Sequence, residues 1–415
     1  MKNLRQENIN ISTVLAFALV PISGFAIDVY IPSFPQMAMD LNTSASNIKL
    51  TMTIFLLSYG ISQLFVGSIL DSFGRYKINL VSLLVFTLSC IGIIFSQDIS
   101  LIFLLRFIQG IAISFIVVSK RVFLVDVYTG EKRKHYTSML TIVWSIAPIV
   151  APFLGGYLQH SFSWRSNFYF LALYGFVMLL LELKFSGETI QERKSFQLKS
   201  IFDVYKKMLS TKEFSLGILV LGLSYAMVMI FGMSIPFIVE HKFQLSSVVS
   251  GYSALASGIA IFFGGLFSRY LINRSFHKKL KLANLSQILV ALIMFMTAGF
   301  FHELLPIVIF AMLLHFWQGF TYNIYFTYSL TRFPEYAATA GGLASGGSYI
   351  VFSIASFSIS NTINIGDQQT LSVSYLILLL LIATILLVIR RPSWKRNVKA
   401  ADTLIPRTAP CRSNS

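Results

Sequence analysis

The sequence predicts an all-α integral membrane protein, with 12 transmembrane helices in two pseudo-symmetric six-helix halves. Three observations predict it. First, of 415 residues 55% are hydrophobic and only 12% are charged, with 38 Phe and a mean hydropathy of +0.71. A soluble domain carries roughly twice that charged fraction, so this apolar surface must face lipid. Second, apolar runs of about 20 residues recur along the chain, each long enough to cross roughly 30 Å of hydrocarbon as a helix. Third, Lys and Arg collect in alternate gaps between those runs. Soluble enzymes, DNA-binding proteins and disordered chains are thereby excluded.

The runs fall at 11–31, 47–69, 78–96, 99–119, 136–158, 165–183, 214–238, 249–272, 280–301, 304–330, 338–361 and 371–389. Helix is forced, because lipid cannot satisfy free backbone groups. A membrane barrel is excluded because the runs do not alternate apolar with polar residues. Lys2 and Arg5 ahead of the first run resemble a secretion signal. The run continues past Pro21 to Asp28 and Pro32 without a small-residue cleavage pattern, so it reads as an uncleaved first span.

With the N-terminus cytoplasmic, cytoplasmic segments hold 29 of the 33 Lys and Arg, and outer loops hold only Arg165 and Lys242. Lys49 and Arg106 fall within spans. The net charge of +16 is therefore a topological signal, and no nucleic-acid partner is expected. The longest loop, 184–213, divides the spans six and six. It gives a first half over 1–183, a cytoplasmic linker over 184–213, a second half over 214–391 and a basic cytoplasmic tail over 392–415. Cys90 and Cys411 are the only cysteines, so no disulfide framework is expected, and the six His lack metal-ligand spacing.

Four stretches carry more specific information. The loop after span 2 reads Gly67-Ser-Ile-Leu-Asp71-Ser-Phe-Gly74-Arg75-Tyr-Lys77. Gly67 would let helices approach closely, Gly74 would turn the chain, and Asp71 would pair with Arg or with a helix N-terminus as a latch. Span 4 contains Arg106-Phe-Ile-Gln109-Gly110, and an Arg in a span must find a partner in the interior or snorkel to the surface. Span 1 ends in Asp28-Val-Tyr30-Ile-Pro32-Ser-Phe-Pro35. Asp28 lies near the outer end of span 1 and Arg106 about seven residues into span 4, so the two charges fall at comparable depth. Span 5 reads Ala147-Pro148-Ile-Val-Ala-Pro152-Phe-Leu-Gly155-Gly156, with two backbone donors missing and two glycines suited to close contact.

The loop after span 2 resembles the G-x-L-x-D-R-x-G-R-R/K signature of the major facilitator superfamily, with Ser72 where that signature has Arg. The Arg106 stretch resembles the family's second motif. The stretch from Pro148 to Gly156 resembles its antiporter motif G-P-x-x-G-G, although no glycine precedes Pro148. The Asp28 stretch, with Trp164-Arg165 and then Phe168-Tyr169-Phe170 at the start of span 6, resembles the Bcr/CflA-type drug:proton antiporters of that superfamily.

The resemblance implies that spans 1, 4, 7 and 10 line a central cavity. Asp28 is then the candidate proton carrier and Arg106 its neighbour, burial and the guanidinium pulling the charge state of the carboxyl in opposite directions. Tyr30, Gln109, Tyr225, Met229, Trp317, Gln318, Tyr322 and Asn323 are candidates for the substrate wall, with ordinary packing as the competing reading for each. His315 is a further titratable candidate. The implied activity is proton-coupled efflux of small drug-like molecules across a bacterial inner membrane, by a monomer that needs no cofactor beyond the proton gradient. Its partners are the substrate, protons and lipid. An exporter of an endogenous metabolite, such as a siderophore, is the alternative. A membrane enzyme would want more clustered catalytic groups than Asp28, Arg106 and His315, and a sensor would want an appended signalling domain. No nucleotide-binding P-loop is present.

Topology reporters fused at residues 200 and 410 are expected to read cytoplasmic. A periplasmic signal from either breaks the twelve-span reading.

Overall fold

The structure is a computed structural model and describes residues 3–190, 193, 198–271, 274–333 and 336–389. Lys2 and the tail 392–415, with Cys411, lie outside the described residues. Eleven helices among the described residues are long and apolar enough to cross a membrane. These are spans 1 (Gln6–Asp40), 2 (Ala45–Phe73), 3 (Arg75–Phe95), 4 (Ile99–Val127), 6 (Arg165–Phe185), 7 (Lys212–Lys242), 8 (Ser247–Phe267), 9 (Phe276–Met296), 10 (Leu304–Arg332), 11 (Thr339–Thr362) and 12 (Gln368–Ile389). Span 5, the helix Gly130–Ser161, completes the twelve. Polar side chains start several of them: Ser44, Asp98 and Ser275 accept hydrogen bonds from the backbone N–H groups of Asn47, Ser100 and Lys278.

Span 1 is longer than the apolar run suggests, and it is broken. Pro21 precedes the segment Ile22–Asp28, and Pro32 and Pro35 open the next two helical pieces. Proline has no N–H to continue a helix but suits its first turn, so the chain restarts at each one. The helical path runs on to Asp40, which places Asp28 well inside the span instead of near its outer end. At its far end the path is fastened to span 6. The Trp164 indole N–H donates to Asp40 Oδ2 at 2.9 Å, and the Arg165 guanidinium lies 3.6 Å from the same oxygen.

Packing repeats between the halves. Span 4 packs on spans 2 and 3, span 3 on span 6, and span 1 on span 5; span 10 packs on 8 and 9, span 9 on 12, and span 7 on 11. Two seams join the halves, span 2 against span 11 and span 5 against span 8. Small residues set the closest approaches. A Cβ on Gly60 would lie 2.9 Å from the Gly346 carbonyl oxygen, and one on Gly346 2.7 Å from that of Gly60.

The linker is not wholly loop. Leu198–Leu209 forms a helix, because Ile201, Val204, Tyr205 and Met208 recur at helical spacing and bury one face. Tyr205 donates its hydroxyl to the Leu64 carbonyl at 2.5 Å, which docks this helix on span 2.

Span 4 also outruns its expected end at 119, carrying Lys120 and Arg121 within the helix instead of in a basic loop. The reason is a partner: Lys120 Nζ lies 2.6 Å from Glu182 Oε2 in span 6, both side chains nearly inaccessible. Asn79 Nδ2 of span 3 donates to the same oxygen at 3.2 Å, and Ser119 donates to Asn79 Oδ1 at 3.1 Å. Removing one member of a buried pair strands the other charge. Lys120→Met is therefore expected to destabilise the protein by about 3–5 kcal/mol. Adding Glu182→Leu should recover most of that loss, as read by thermal unfolding in detergent.

Candidate functional site

The site begins at the broken first span. The segment Ile22–Asp28 ends with carbonyls that accept from no following helical N–H, and the Ala26 carbonyl is one of them. Arg106 takes it, with Nη2 donating to Ala26 O at 3.1 Å and to the Tyr30 hydroxyl at 3.2 Å. Nη1 donates to Gln109 Oε1 at 2.8 Å. The guanidinium lies over the rings of Tyr30 (4.5 Å) and Phe55 (4.2 Å) and is wholly inaccessible to solvent. Gln109 in turn donates to Cys90 Sγ at 3.2 Å.

Asp28 does not pair with Arg106. Residues 26 and 30 lie on the face that Arg106 meets, and residue 28 is about 200° round the helix from residue 26. The Asp28 side chain is buried and makes no hydrogen bond or ion pair among the described residues. Its electrostatic neighbours are Tyr30 and, from the second half, Tyr225. The sequence-derived neighbours thus share one turn of span 1 but occupy opposite faces of it.

From Arg106 a line of rings crosses the molecule. Phe55 and Tyr59 of span 2 have ring centroids 6.2 Å apart, Tyr59 and Tyr349 of span 11 4.8 Å, and Tyr349 and Phe352 4.9 Å. Phe352 then meets Tyr225 at 5.0 Å, and Tyr225 meets Tyr322 of span 10 at 5.9 Å. Gln318 lies one turn from Tyr322, inaccessible, with neither amide atom hydrogen-bonded. Met229 is buried in the core one turn beyond Tyr225.

Trp317 and Asn323 are not brought to this line. Trp317 packs its ring on Phe267 of span 8 (6.3 Å), and Asn323 donates to Gly265 O (3.0 Å) and Ser268 Oγ (2.7 Å) of the same span. Both fasten span 10 to span 8, because they sit on a different helical face from residues 318 and 322. His315 also lies apart. Its Nδ1 is 2.6 Å from the Ser257 hydroxyl and its Nε2 3.4 Å from that of Tyr375, inside the second half.

At the basic end, Arg75 Nη2 donates to Asp71 Oδ1 at 2.9 Å, and Arg75 also ion-pairs with Asp126 of span 4. Thr189 donates to Asp126 at 2.7 Å. Glu188 occupies the N-terminus of span 3, accepting from the N–H groups of Arg75 (3.0 Å) and Tyr76 (3.2 Å). Gly74 turns the chain with φ +95°. Gly67 meets nothing within 4 Å of a Cβ, so the close helix approach expected there does not occur. Asp126 and Glu188 escape sequence reading because nothing in their local pattern announces partners so distant along the chain.

Span 5 is the seam. Pro152 cannot donate to the Pro148 carbonyl, which turns instead toward Gly258 of span 8, at 3.4 Å from its Cβ position. The Pro152 carbonyl faces Gly251, at 2.8 Å from that Cβ position. A Cβ on Gly155 would collide with the Val29 carbonyl, and one on Gly156 would lie 2.7 Å from that of Ser247. Gly155→Ala is thus expected to cost about 1–3 kcal/mol through overpacking. Gly67→Ala should be neutral in the same thermal-unfolding measurement.

The sequence profile of the Major Facilitator Superfamily matches residues 16–356. Multidrug resistance protein D of Escherichia coli (strain K12) is 26% identical over 345 residues, 82% of this chain and 86% of that protein. A bicyclomycin resistance protein homolog of Haemophilus influenzae is 31% identical over 199 residues, 48% of this chain and 50% of that protein. A crystal structure of the nucleoside transporter NupG superposes with a TM-score of 0.73 over 92% of this chain and 100% of that chain; at 13% identity it shows the fold alone. Twelve helices packed as repeated halves, with the profile match across both of them, establish that the chain belongs to the Major Facilitator Superfamily.

Proposed function

We propose that the protein is a Bcr/CflA-type drug:proton antiporter that exports small organic molecules across a bacterial inner membrane, with its termini and linker on the cytoplasmic side. The observation that carries the reading is Asp28. It is a buried carboxyl on a broken span, held by no cation among the described residues, within electrostatic reach of Tyr225 in the opposite half. A carboxyl so placed is free to gain or lose a proton as the halves move, because no fixed ion pair dictates its charge. The names of the relatives, for multidrug and bicyclomycin resistance, support the cargo class. The 29-to-2 division of Lys and Arg supports the orientation.

The geometry suggests a division of labour. Arg106 anchors span 1 through Ala26 and Tyr30, so that Asp28, on the opposite face, is presented toward the second half. Substrate lies against the rings of Tyr225, Tyr322 and Tyr349, between the halves. The seams of spans 2 with 11 and 5 with 8 are where the halves rock, and the cluster of Asp71, Arg75, Asp126 and Glu188 holds the basic end in the present arrangement. Proton flow supplies the drive, and the protein requires no cofactor.

Asp28→Asn retains size and hydrogen-bonding capacity but cannot titrate. In proteoliposomes under an imposed pH gradient it is expected to lose drug-dependent proton release while unfolding at the parent temperature. Arg106→Ala should lose both transport and stability, since it removes the anchor. Drug-dependent proton release by Asp28→Asn at the parent rate would place the carrier elsewhere.

A further inference from the structure

About four turns beyond Arg106, span 4 carries the half-buried Arg121. Its electrostatic neighbours are the tyrosines of three other spans: Tyr59 of span 2, Tyr322 of span 10 and Tyr349 of span 11. Buried Lys49 of span 2 lies over the Phe237 ring at 5.5 Å, and the remaining interior cations of the first half, Arg121 aside, are held by hydrogen bonds or ion pairs. Arg106 is held by Ala26, Tyr30 and Gln109, Lys120 by Glu182, and Arg75 by Asp71 and Asp126. Arg121 makes no hydrogen bond and no ion pair among the described residues. A guanidinium presents a planar fork of donors that matches a carboxylate two bonds at a time, and leaving it unpaired near apolar rings is costly.

A second, independent observation comes from span 10. Gln318, one turn from Tyr322, is inaccessible and has both its amide oxygen and its amide nitrogen unpartnered. Buried amides normally find partners, so a donor and an acceptor are in reserve there. Tyr322 and Tyr349 belong with Tyr225 and Phe352 to one line of rings, with neighbouring centroids 4.9–5.9 Å apart. A cationic fork and an unpaired amide thus accompany a wall of aromatic rings.

We infer that Arg121 is the anion-binding residue of the substrate site and that the protein takes aromatic organic anions, the carboxylate on Arg121 and the ring on Tyr225, Tyr322 and Tyr349. This rests on reading the space between the halves as the substrate cavity, but it does not rest on proton coupling.

The test is equilibrium binding to the purified full chain in detergent, without any pH gradient. The probes are radiolabelled 2-naphthoate and its neutral counterpart 2-naphthamide. The parent is expected to bind naphthoate saturably and about 10- to 100-fold more tightly than the amide, the range of a charge-assisted contact. Arg121→Gln should abolish that preference while the amide binds as before, and Arg121→Lys, which keeps the charge but not the fork, should fall between. Equal affinity of the parent for both probes, no saturable naphthoate binding to the parent, or parent-like naphthoate preference in Arg121→Gln overturns the inference. If Arg121→Gln does not survive purification, the parent comparison and Arg121→Lys decide it. Loss of preference in Arg121→Gln together with normal proton coupling in Asp28→Asn would sustain the subsite and sink the coupling scheme; the reverse pattern would do the opposite.

Discussion

The rest of the structure depends on how one charge is buried. Arg106 is removed from solvent and forms no ion pair with a carboxylate among the described residues, yet a cation in a membrane interior must be satisfied or it will not stay there. Its partners are neutral: a carbonyl, a hydroxyl, an amide and two aromatic faces. The carbonyl is available only because span 1 breaks after Asp28, and span 1 breaks because prolines flank that segment. Proline positions in one span thus create the acceptor that allows a guanidinium in another. The same contact pins Tyr30 over Arg106 and turns Asp28 to the other side of the helix, where no cation holds its charge.

A second constraint follows from lipid. Between helices in a membrane there is little hydrophobic drive to associate, so close packing of small residues has to supply contact. The two seams between the halves use it in different ways. Spans 2 and 11 meet glycine to glycine at Gly60 and Gly346. Spans 5 and 8 meet through the carbonyls of Pro148 and Pro152, which face the glycines of span 8. At the basic end, the charges of Asp71, Arg75, Asp126 and Glu188 do what packing does elsewhere, tying the linker to the start of span 3.

The interior charges also show where a span reading goes astray. Lys120 and Arg121 look like the beginning of a basic loop, since the apolar run stops there. The helix nevertheless continues to Val127, and Glu182 neutralises one of the two cations. A carboxylate in span 6 and an aromatic cluster shared by three spans are not visible from span 4. The same limit applies to Trp317 and Asn323: their neighbourhood in sequence suggested a cavity wall, and only the rotation of span 10 about its axis assigns them to span 8.

What the sequence by itself determined is what depends on local composition and period. That covers the number of spans, the helical state forced by lipid, the turn at Gly74 and the segregation of Lys and Arg into alternate gaps. It also supplied Arg106 and Gln109 together, because residues three apart on a helix share a face. Tertiary structure alone decided which faces meet. It set Asp28 and Arg106 on opposite sides of one helical turn, paired Lys120 with Glu182, placed Glu188 on the N-terminus of span 3 and left Arg121 facing tyrosines from three other spans. Each of these turns on the axial rotation of one helix against another. That rotation is settled by packing among residues tens to hundreds of positions apart, for which a single sequence carries no local signal.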